Sequence, residues 1–213
     1  MRSPAGLMPM PGKSRSDLNA EADLLERIRA CRECRGRFPH EPRPVVRGHP
    51  TAPLAQISQA PSRSVHESGF PFDDASGEKL RGEWYGIDRE VFYDPSRFYI
   101  TSVGKCFPGK TPRGGDRKPP KICADLWLEA ELKRLENTIF LIVGKAAADY
   151  FFPGETFHEL VMHTRTLKDK DTFVLPHPSP LNIKWFKDHP EFFHERLPSI
   201  RKRLHQVLFD KEP

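Results

Sequence analysis

The sequence predicts an α/β fold, a three-layer α-β-α sandwich around a central, mainly parallel sheet of four strands. Four short apolar runs of strand length recur along the chain, and segments of helical character lie between them. Strands that alternate with helices favour a parallel sheet covered by helices on both faces. The 213 residues, 37% of them hydrophobic, suffice for one such domain.

The first half of the chain supplies two of the strands. Residues 1–16 are rich in Pro, Gly, Ser, Lys and Met and predict a disordered arm ahead of one domain over residues 17–213. Leu18–Ala30 has apolar residues at helical spacing and predicts the first helix. Leu54–Ile57 is a short apolar run that predicts the first strand, and Lys79–Trp84 has helical character.

The second half continues the alternation. Phe98–Val103 predicts the second strand, and Ile122–Leu135 predicts a helix because leucines recur along it at helical spacing. The remaining elements, in order, are a third strand at Thr138–Val143, a helix at Lys145–Phe151, a fourth strand at Thr172–Leu175 and a last helix at Glu191–Leu208.

Composition favours an intracellular protein with a polyanionic partner. The formal net charge is +5 and the pI is about 9.1, which is compatible with binding nucleic acid. The basic residues cluster in a Pro/Gly-rich loop (Lys105, Lys110, Arg113, Arg117, Lys118, Lys121) and near the C-terminus (Arg196, Arg201, Lys202, Arg203). Each cluster fits a solvated face as well as a DNA-binding one. No segment resembles a secretory signal or is apolar enough to span a membrane, so a cytoplasmic protein, nucleoid-associated if bacterial, is expected.

The four cysteines predict a metal site. Cys31 and Cys34 form a C-x2-C pair after the first helix, and Cys106 and Cys123 follow with sixteen residues between them. Disulfides are disfavoured inside cells, so four thiolates point to zinc or an iron–sulfur cluster. The spacing leaves both metals open, and the alternative is four unrelated core cysteines.

A Pro/Ser/Gly-rich segment after the first strand predicts a ligand pocket. It runs from Ser58 to Gly77 and reads SQAPSRSVHESGFPFDDASG. Open α/β sheets hold their ligands at the carboxyl ends of strands. Phe72 could stack on a flat ligand there, and Asp73 or Asp74 could serve in acid–base chemistry. The alternative is a loop with a solvated acidic tip.

A second candidate segment follows the last strand and reads LPHPSPLN. His177 lies between two prolines, which restrict its backbone and suit a group that must stabilise charge. Leu181 could act as an apolar wedge of the kind that several proteins insert between base steps. The alternative is a proline-rich turn with an incidental histidine.

Together these segments resemble the uracil-DNA glycosylase superfamily, most closely its iron–sulfur, family 4-like branch. SQAPS followed by Gly69–Gly77 aligns without a gap with that branch's G-E-A-P-G and G-x-P-F-V-G-x-A-G segments, and TSVGKC at residues 101–106 aligns with T-N-x-x-K-C. A fourth cysteine follows at about the family's distance. HPSPLN begins with H-P like the family's second catalytic segment, and it is nearer to the H-P-S-P-L-S of the cluster-free enzymes. The resemblance covers roughly residues 25–205 and implies a [4Fe–4S] cluster rather than zinc on Cys31, Cys34, Cys106 and Cys123.

The resemblance also implies roles for individual residues. The enzyme would be a monofunctional glycosylase, expected to be a monomer, that flips uracil out of single- or double-stranded DNA and leaves an abasic site. Phe72 would stack on the base, and His177 and backbone N–H groups near Gln59 would stabilise negative charge on it. The implied substrate-binding set is Gln59, Ala60, Phe72, Ser102 and His177, and the implied DNA-binding set is Ser62, Ser179, Leu181, Asn182 and Lys184.

Three departures from the family pattern bear on the chemistry. Gln59 stands where the iron–sulfur branch has Glu, Ala60 where the cluster-free enzymes have Asp, and Ser102 where Asn reads uracil. The catalytic carboxylate is therefore expected at Asp73 or Asp74, with His66 a weaker candidate for positioning water. A different deaminated base, or a non-catalytic binder of damaged or abasic DNA, is the alternative. Covalent trapping of the abasic site is not expected, because the loop over residues 107–121 contains no His.

Overall fold

A computed structural model describes residues 15–112 and 114–210, with side chains described from residue 23 onward. It is an α/β fold around one five-stranded sheet in the order β2-β1-β3-β5-β4. The strands are β1 (Leu54–Ser58), β2 (Phe98–Ser102), β3 (Ile139–Val143), β4 (Arg165–Leu167) and β5 (Lys170–Leu175). β1 pairs in parallel with β2 and β3, and β3 pairs in parallel with β5. The predicted fold class and its four parallel strands are confirmed.

The fifth strand corrects the predicted count of four. β4 pairs antiparallel with β5 through a two-residue turn, in which Lys168 and Asp169 have φ of 52° and 60°. Hairpin turns with two left-handed residues favour Asn-Gly or Asp-Gly. Lys-Asp gives no such signal, and β4 is only three residues long and incompletely buried. For these reasons β4 was not predicted from the apolar runs of the sequence.

Ten helices cover the sheet in the described part of the chain. They are α1 (Arg15–Ala30), α2 (Arg63–Ser68), α3 (Ala75–Glu78), α4 (Arg89–Tyr93), α5 (Lys121–Cys123), α6 (Glu129–Leu132), α7 (Lys145–Phe151), α8 (Phe157–Met162), α9 (Ile183–Asp188) and α10 (Leu197–Phe209). Three π-helical segments, Lys79–Tyr85, Ala124–Leu128 and Phe192–Arg196, continue or precede α-helices, and Pro180–Asn182 is a 3-10 turn. All five predicted helical segments are present: Lys145–Phe151 has the predicted bounds, the other four have shifted ends, and the segment from Lys79 is π-helical. The predicted arm over residues 1–16 lies outside the described residues except for Arg15 and Ser16, which begin α1.

Both faces of the sheet are covered. Every residue of β1, β2 and β3 is buried, so neighbouring side chains that point to opposite faces are equally shielded from water. In the part of the chain that the structure describes, no helix combines the length and apolar character needed to cross a membrane.

The parallel strands end at one level. Ser58 at the end of β1 is in register with Ser102 on one side and Val143 on the other, and Val143 is in register with Leu175. The chain passes from β1 to β2 on one side and then crosses back to β3 on the other, so the strand order reverses between β1 and β3. Crevices outside the carboxyl ends of strands at such a point are where open α/β sheets bind ligands.

Lys105 is a core residue and not part of a DNA-facing cluster. Its side chain is 1% exposed and forms an ion pair with Glu131, which is also buried. The ammonium group donates to Thr101 Oγ1 at 2.8 Å, and the hydroxyls of Tyr99 and Thr101 donate to Glu131 Oε1 at 2.7 and 2.8 Å. This network joins β2 to α6 and fixes the chain just before Cys106.

We expect Lys105→Met to lower the free energy of unfolding by about 3–5 kcal/mol, because it leaves the Glu131 carboxylate buried without its cation. Equilibrium urea unfolding measures the change. The double variant Lys105→Met/Glu131→Gln removes the orphaned charge, keeps an acceptor for both hydroxyls and should recover part of the loss. Any effect of methionine on neighbouring Cys106 is common to both variants. A single variant within about 1 kcal/mol of wild type would contradict the prediction.

Candidate functional site

A cavity of about 510 Å³ opens at the carboxyl ends of the four parallel strands. Ten of the predicted site residues line it, namely Gln59, Ala60, Ser62, Phe72, Asp74, Ser102, His177, Ser179, Leu181 and Asn182. These residues come from segments up to 123 positions apart, since the set spans residues 59 to 182. The fold thus brings both candidate segments to one place.

Phe72 is held in the cavity wall in an unusual backbone conformation. Its φ is 57°, a left-handed value that bulky residues rarely adopt. The buried guanidinium of Arg81 donates to the Phe72 carbonyl at 2.7 Å, and Tyr93 donates to the Pro71 carbonyl at 2.8 Å. Gly77 is required behind it, since a Cβ there would lie 1.7 Å from the Phe72 oxygen. Backbone strain maintained by its surroundings is typical of functional positions.

His177 faces Phe72 and carries a defined tautomer. The two rings lie 6.3 Å apart between centroids at an angle of 26°. The Ser179 N–H donates to Nδ1 at 3.2 Å, so the neutral ring carries its proton on Nε2. The Asn182 side chain donates to the His177 carbonyl at 2.7 Å and ties down the loop. Burial lowers the pKa of His177, against the opposing charges of Asp74 and Asp116.

The two predicted carboxylates have different positions. Asp74 lines the cavity, acts electrostatically on His177, and caps α3 by accepting from the Gly77 N–H at 2.9 Å. Asp73 is not among the lining residues and forms an ion pair with Arg89 at 2.7 Å. Of the two, Asp74 is placed to act on a ligand.

Two further carboxylates at the cavity were not predicted from the sequence. Asp116 and Asp149 line it, and each forms an ion pair, with Lys110 at 2.7 Å and with Lys145 at 2.6 Å. Asp116 lies in the basic loop and Asp149 on α7, and neither sits in a segment with a recognisable motif. Their proximity to the cavity depends on how the loop and the helix pack.

The residues that depart from the family pattern are also in the cavity wall. Gln59 donates its amide to the Arg117 carbonyl at 3.2 Å and so contacts the basic loop. Ser102 is buried, and its hydroxyl donates to the Gly104 carbonyl at 2.7 Å. With its one proton used in this way, Ser102 offers a ligand only acceptor lone pairs.

The rim carries an exposed apolar side chain between capped turns. Leu181 is 90% exposed and lies in the 3-10 turn, where its backbone N–H donates to Ser179 Oγ. Ser62 caps α2 at the same cavity. Lys184 is outside the lining set and pairs with Asp188 at 2.6 Å.

Some residues of the two basic clusters lie at the surface, and others belong to the core. In the Pro/Gly-rich loop, Lys118 lines the cavity and the Arg117 side chain donates to the Lys110 carbonyl. Arg113 lies outside the described residues. In the C-terminal cluster, Arg196 is buried against Phe173 and donates to the Val161 carbonyl, so it belongs to the core. Arg201 donates to the carbonyls of Glu83 and Trp84 and links α10 to the π-helical segment.

The four cysteines converge on a second, small cavity. Cys31, Cys34, Cys106 and Cys123 all line it, together with Trp127 and Ile122. Burial raises the pKa of Cys106 to about 12, and the neighbouring thiols Cys123, Cys34 and Cys31 add to the effect. A cation bound there would favour the thiolate form that metal ligation needs. The donor set therefore fits a metal centre.

A model of the Uracil DNA glycosylase superfamily matches residues 45–201 of the chain. The matched range contains all four parallel strands, the lining residues of the large cavity, Cys106 and Cys123. Cys31 and Cys34 lie before its start.

Proposed function

The chain belongs to the uracil-DNA glycosylase superfamily, and on that basis we propose that it is a monofunctional uracil-DNA glycosylase that leaves an abasic site. The observation that supports the proposal is the meeting of Phe72, His177 and Asp74 in one cavity at the carboxyl ends of the parallel strands. This superfamily acts on DNA by breaking an N-glycosidic bond, and the three side chains provide a stacking surface, a hydrogen-bond donor and a carboxylate.

Substrate binding begins with extrusion of the target nucleotide from the stack. The flipped base enters the cavity and stacks on Phe72, whose backbone is held by the Arg81 hydrogen bond and the close approach of Gly77. Leu181 fills the space left in the duplex, because it is bulky, apolar and almost fully exposed at the rim. Ser62 and Ser179 contact the phosphates beside the extruded nucleotide.

Bond cleavage places negative charge on the leaving base and positive charge on the sugar. The Nε2–H of neutral His177 donates to the base oxygen on which charge develops, with backbone N–H groups near Gln59 as further donors. A half-buried donor that is held by Ser179 and Asn182 needs little rearrangement as the charge grows. The low pKa of His177 keeps the ring neutral at pH 7, so it is present as the Nε2–H donor.

Asp74 supplies the carboxylate. It faces the cavity that holds His177, where it can stabilise the cationic sugar or orient the attacking water, as carboxylates do in glycoside hydrolysis. Asp73 is instead neutralised by Arg89 at the edge of the site.

The four cysteines are proposed to hold a [4Fe–4S] cluster. The four thiols line one small cavity, and four cysteine thiolates are the ligand set of such a cluster. Bound there, the cluster would supply a structural cross-link between the end of α1 and the loops beside β2. The residues that line its cavity are separate from those that line the large cavity, so its proposed role is structural.

A gel assay on uracil-containing single- and double-stranded oligonucleotides tests the activity. Alkali-labile abasic product is expected with both or with one of them. No product at any enzyme concentration, with binding to abasic DNA retained, would favour the non-catalytic binder instead.

We expect Asp74→Asn to lower the single-turnover rate by about 10²-fold, the order of a lost catalytic carboxylate. Asparagine keeps the α3 cap, since it is as good a capping residue as aspartate. Asp73→Asn is the matched control, because it changes the neighbouring residue outside the cavity, and its rate should stay within a few-fold of wild type. An equal loss of single-turnover rate in both variants would contradict the assignment of the catalytic carboxylate to Asp74.

A different base is the second candidate, and the Ser102 hydroxyl favours it. A single hydroxyl that already donates to Gly104 cannot reproduce the paired donor and acceptor of an asparagine amide. The same assay run on uracil, hypoxanthine, xanthine and thymine mismatches identifies the base. A rate on hypoxanthine or xanthine above that on uracil would replace the proposed substrate and keep the glycosylase activity.

A further inference from the structure

Two histidines and a glutamate meet in a cluster outside the cavity. The ligand atoms of His158, His189 and Glu191 all lie within 4.8 Å of one another. His158 Nε2 is 3.1 Å and His189 Nδ1 is 3.2 Å from the same carboxylate oxygen, Glu191 Oε1. The two imidazole rings lie 4.5 Å apart between centroids. Three potential ligand atoms therefore face one point.

Packed aromatic rings hold the three residues in place. His158 is in the first turn of α8, and His189 directly follows α9. The Trp185 ring contacts Phe157 at 5.8 Å, Phe192 at 5.8 Å and His189 at 4.7 Å between centroids. Each segment that carries a ligand is therefore fixed against the same tryptophan, which is the support that a preorganised site needs.

We propose that His158, His189 and Glu191 form a binding site for a divalent transition metal, zinc in the first place. Imidazole nitrogen and carboxylate oxygen are zinc ligands, and two His with one carboxylate is a set that leaves a fourth position for water. Bonds of about 2.0–2.2 Å in a tetrahedron place ligand atoms about 3.4 Å apart. The distances of 3.1 and 3.2 Å need little adjustment to accept the ion.

The hydrogen bonds within the trio can be replaced by bonds to a cation. Glu191 Oε1 faces one ring nitrogen of His158 and one of His189. Without an ion, two ring N–H groups donate to that oxygen. When the ion binds, each ring keeps one proton but carries it on its other nitrogen, and both freed lone pairs coordinate. All three side chains are half-buried, which leaves room for a bound water.

The site would link two surface helices. α9 begins at Ile183, two residues after Leu181, and ends one residue before His189. An ion held by His189, Glu191 and His158 therefore joins the far end of this helix to the start of α8. This structural role is independent of base excision and does not rest on the proposed function.

Zinc titration by isothermal calorimetry tests the site. We expect the wild-type protein to bind one zinc ion more than His158→Ala or Glu191→Gln, or to bind that ion at least about 100-fold more tightly, a larger loss than second-shell changes cause. All variants keep the four cysteines, so zinc that enters the cysteine site is common to them. His163→Ala is the matched control, because it removes an exposed histidine from the end of α8 without touching the trio.

Thermal unfolding provides a second readout that does not depend on activity. Zinc should raise the Tm of wild type and His163→Ala, because it binds the folded state, and should not raise that of Glu191→Gln. Glu191→Gln preserves the side-chain shape and keeps the test valid if His158→Ala fails to fold. Equal zinc stoichiometry, affinity and Tm shift in wild type and Glu191→Gln would overturn the proposal.

Discussion

Replacing His177 with asparagine is expected to slow single-turnover base release by about 10²–10³-fold, the order of a lost donor to a developing anion. Asparagine places its side-chain oxygen near the position of Nδ1 and so retains an acceptor for the Ser179 N–H, which keeps the loop in place. It lacks a donor at the position of Nε2. The loss therefore reports on the Nε2–H alone, measured with excess enzyme on a uracil-containing oligonucleotide.

Glutamine at the same position provides the complementary variant. Its amide reaches the position of Nε2, so His177→Gln should retain more activity than His177→Asn even though it lacks the acceptor for Ser179. His163→Ala serves as the control for removing a histidine elsewhere, and we expect the wild-type rate for it. A rate for His177→Asn within about three-fold of wild type would mean that the transition state receives no hydrogen bond worth the usual 2.7–4 kcal/mol from this ring.

Removing one cysteine is expected to lower both the iron content and the stability of the protein. Cys106→Ser should reduce the iron content of the purified protein from about four per chain to less than one. Because the binding free energy of a structural metal adds to the free energy of folding, the loss should reach at least about 3 kcal/mol. For a chain of this length that corresponds to a fall in Tm of about 6–12 °C. Iron analysis and thermal unfolding measure the two effects.

Ile122→Ser is the matched control for the cysteine variant. Ile122 lines the same small cavity but offers no sulfur, so this variant should keep about four irons. Colourless wild-type protein with stoichiometric zinc would replace the cluster by a zinc site. An unchanged iron content in Cys106→Ser would show that the Cys106 thiol is not a ligand of the cluster.

The sequence alone predicted the parallel strands because each contains a short run of mostly apolar, buried residues. β1 and β3 consist of consecutive buried residues, and a fully buried strand needs no knowledge of its neighbours to be identified. β4 was missed for the opposite reason. It is short and incompletely buried, and it exists because it pairs with β5 through a turn that its residues do not signal.

The same distinction applies within the candidate site. Phe72, His177 and the cysteines lie in segments whose order and spacing are visible along the chain. The positions of the carboxylates are not visible in this way. Asp73 and Asp74 are neighbours in sequence, yet one pairs with Arg89 and the other faces the cavity, because the left-handed turn at Phe72 and the cap of α3 direct their side chains differently.

The expectations from sequence and the tertiary structure differ most in where the charged side chains lie. Lys105 and Arg196 look like members of basic clusters in the sequence, but in the structure they are buried beside Glu131 and Phe173. The sequence by itself determined the α/β fold, the two segments of the cavity and the cysteine set, since each is encoded in short runs of residues. Only the tertiary structure decided which charged groups face a ligand and which support the core, because burial and ion pairing join residues that are far apart in the chain.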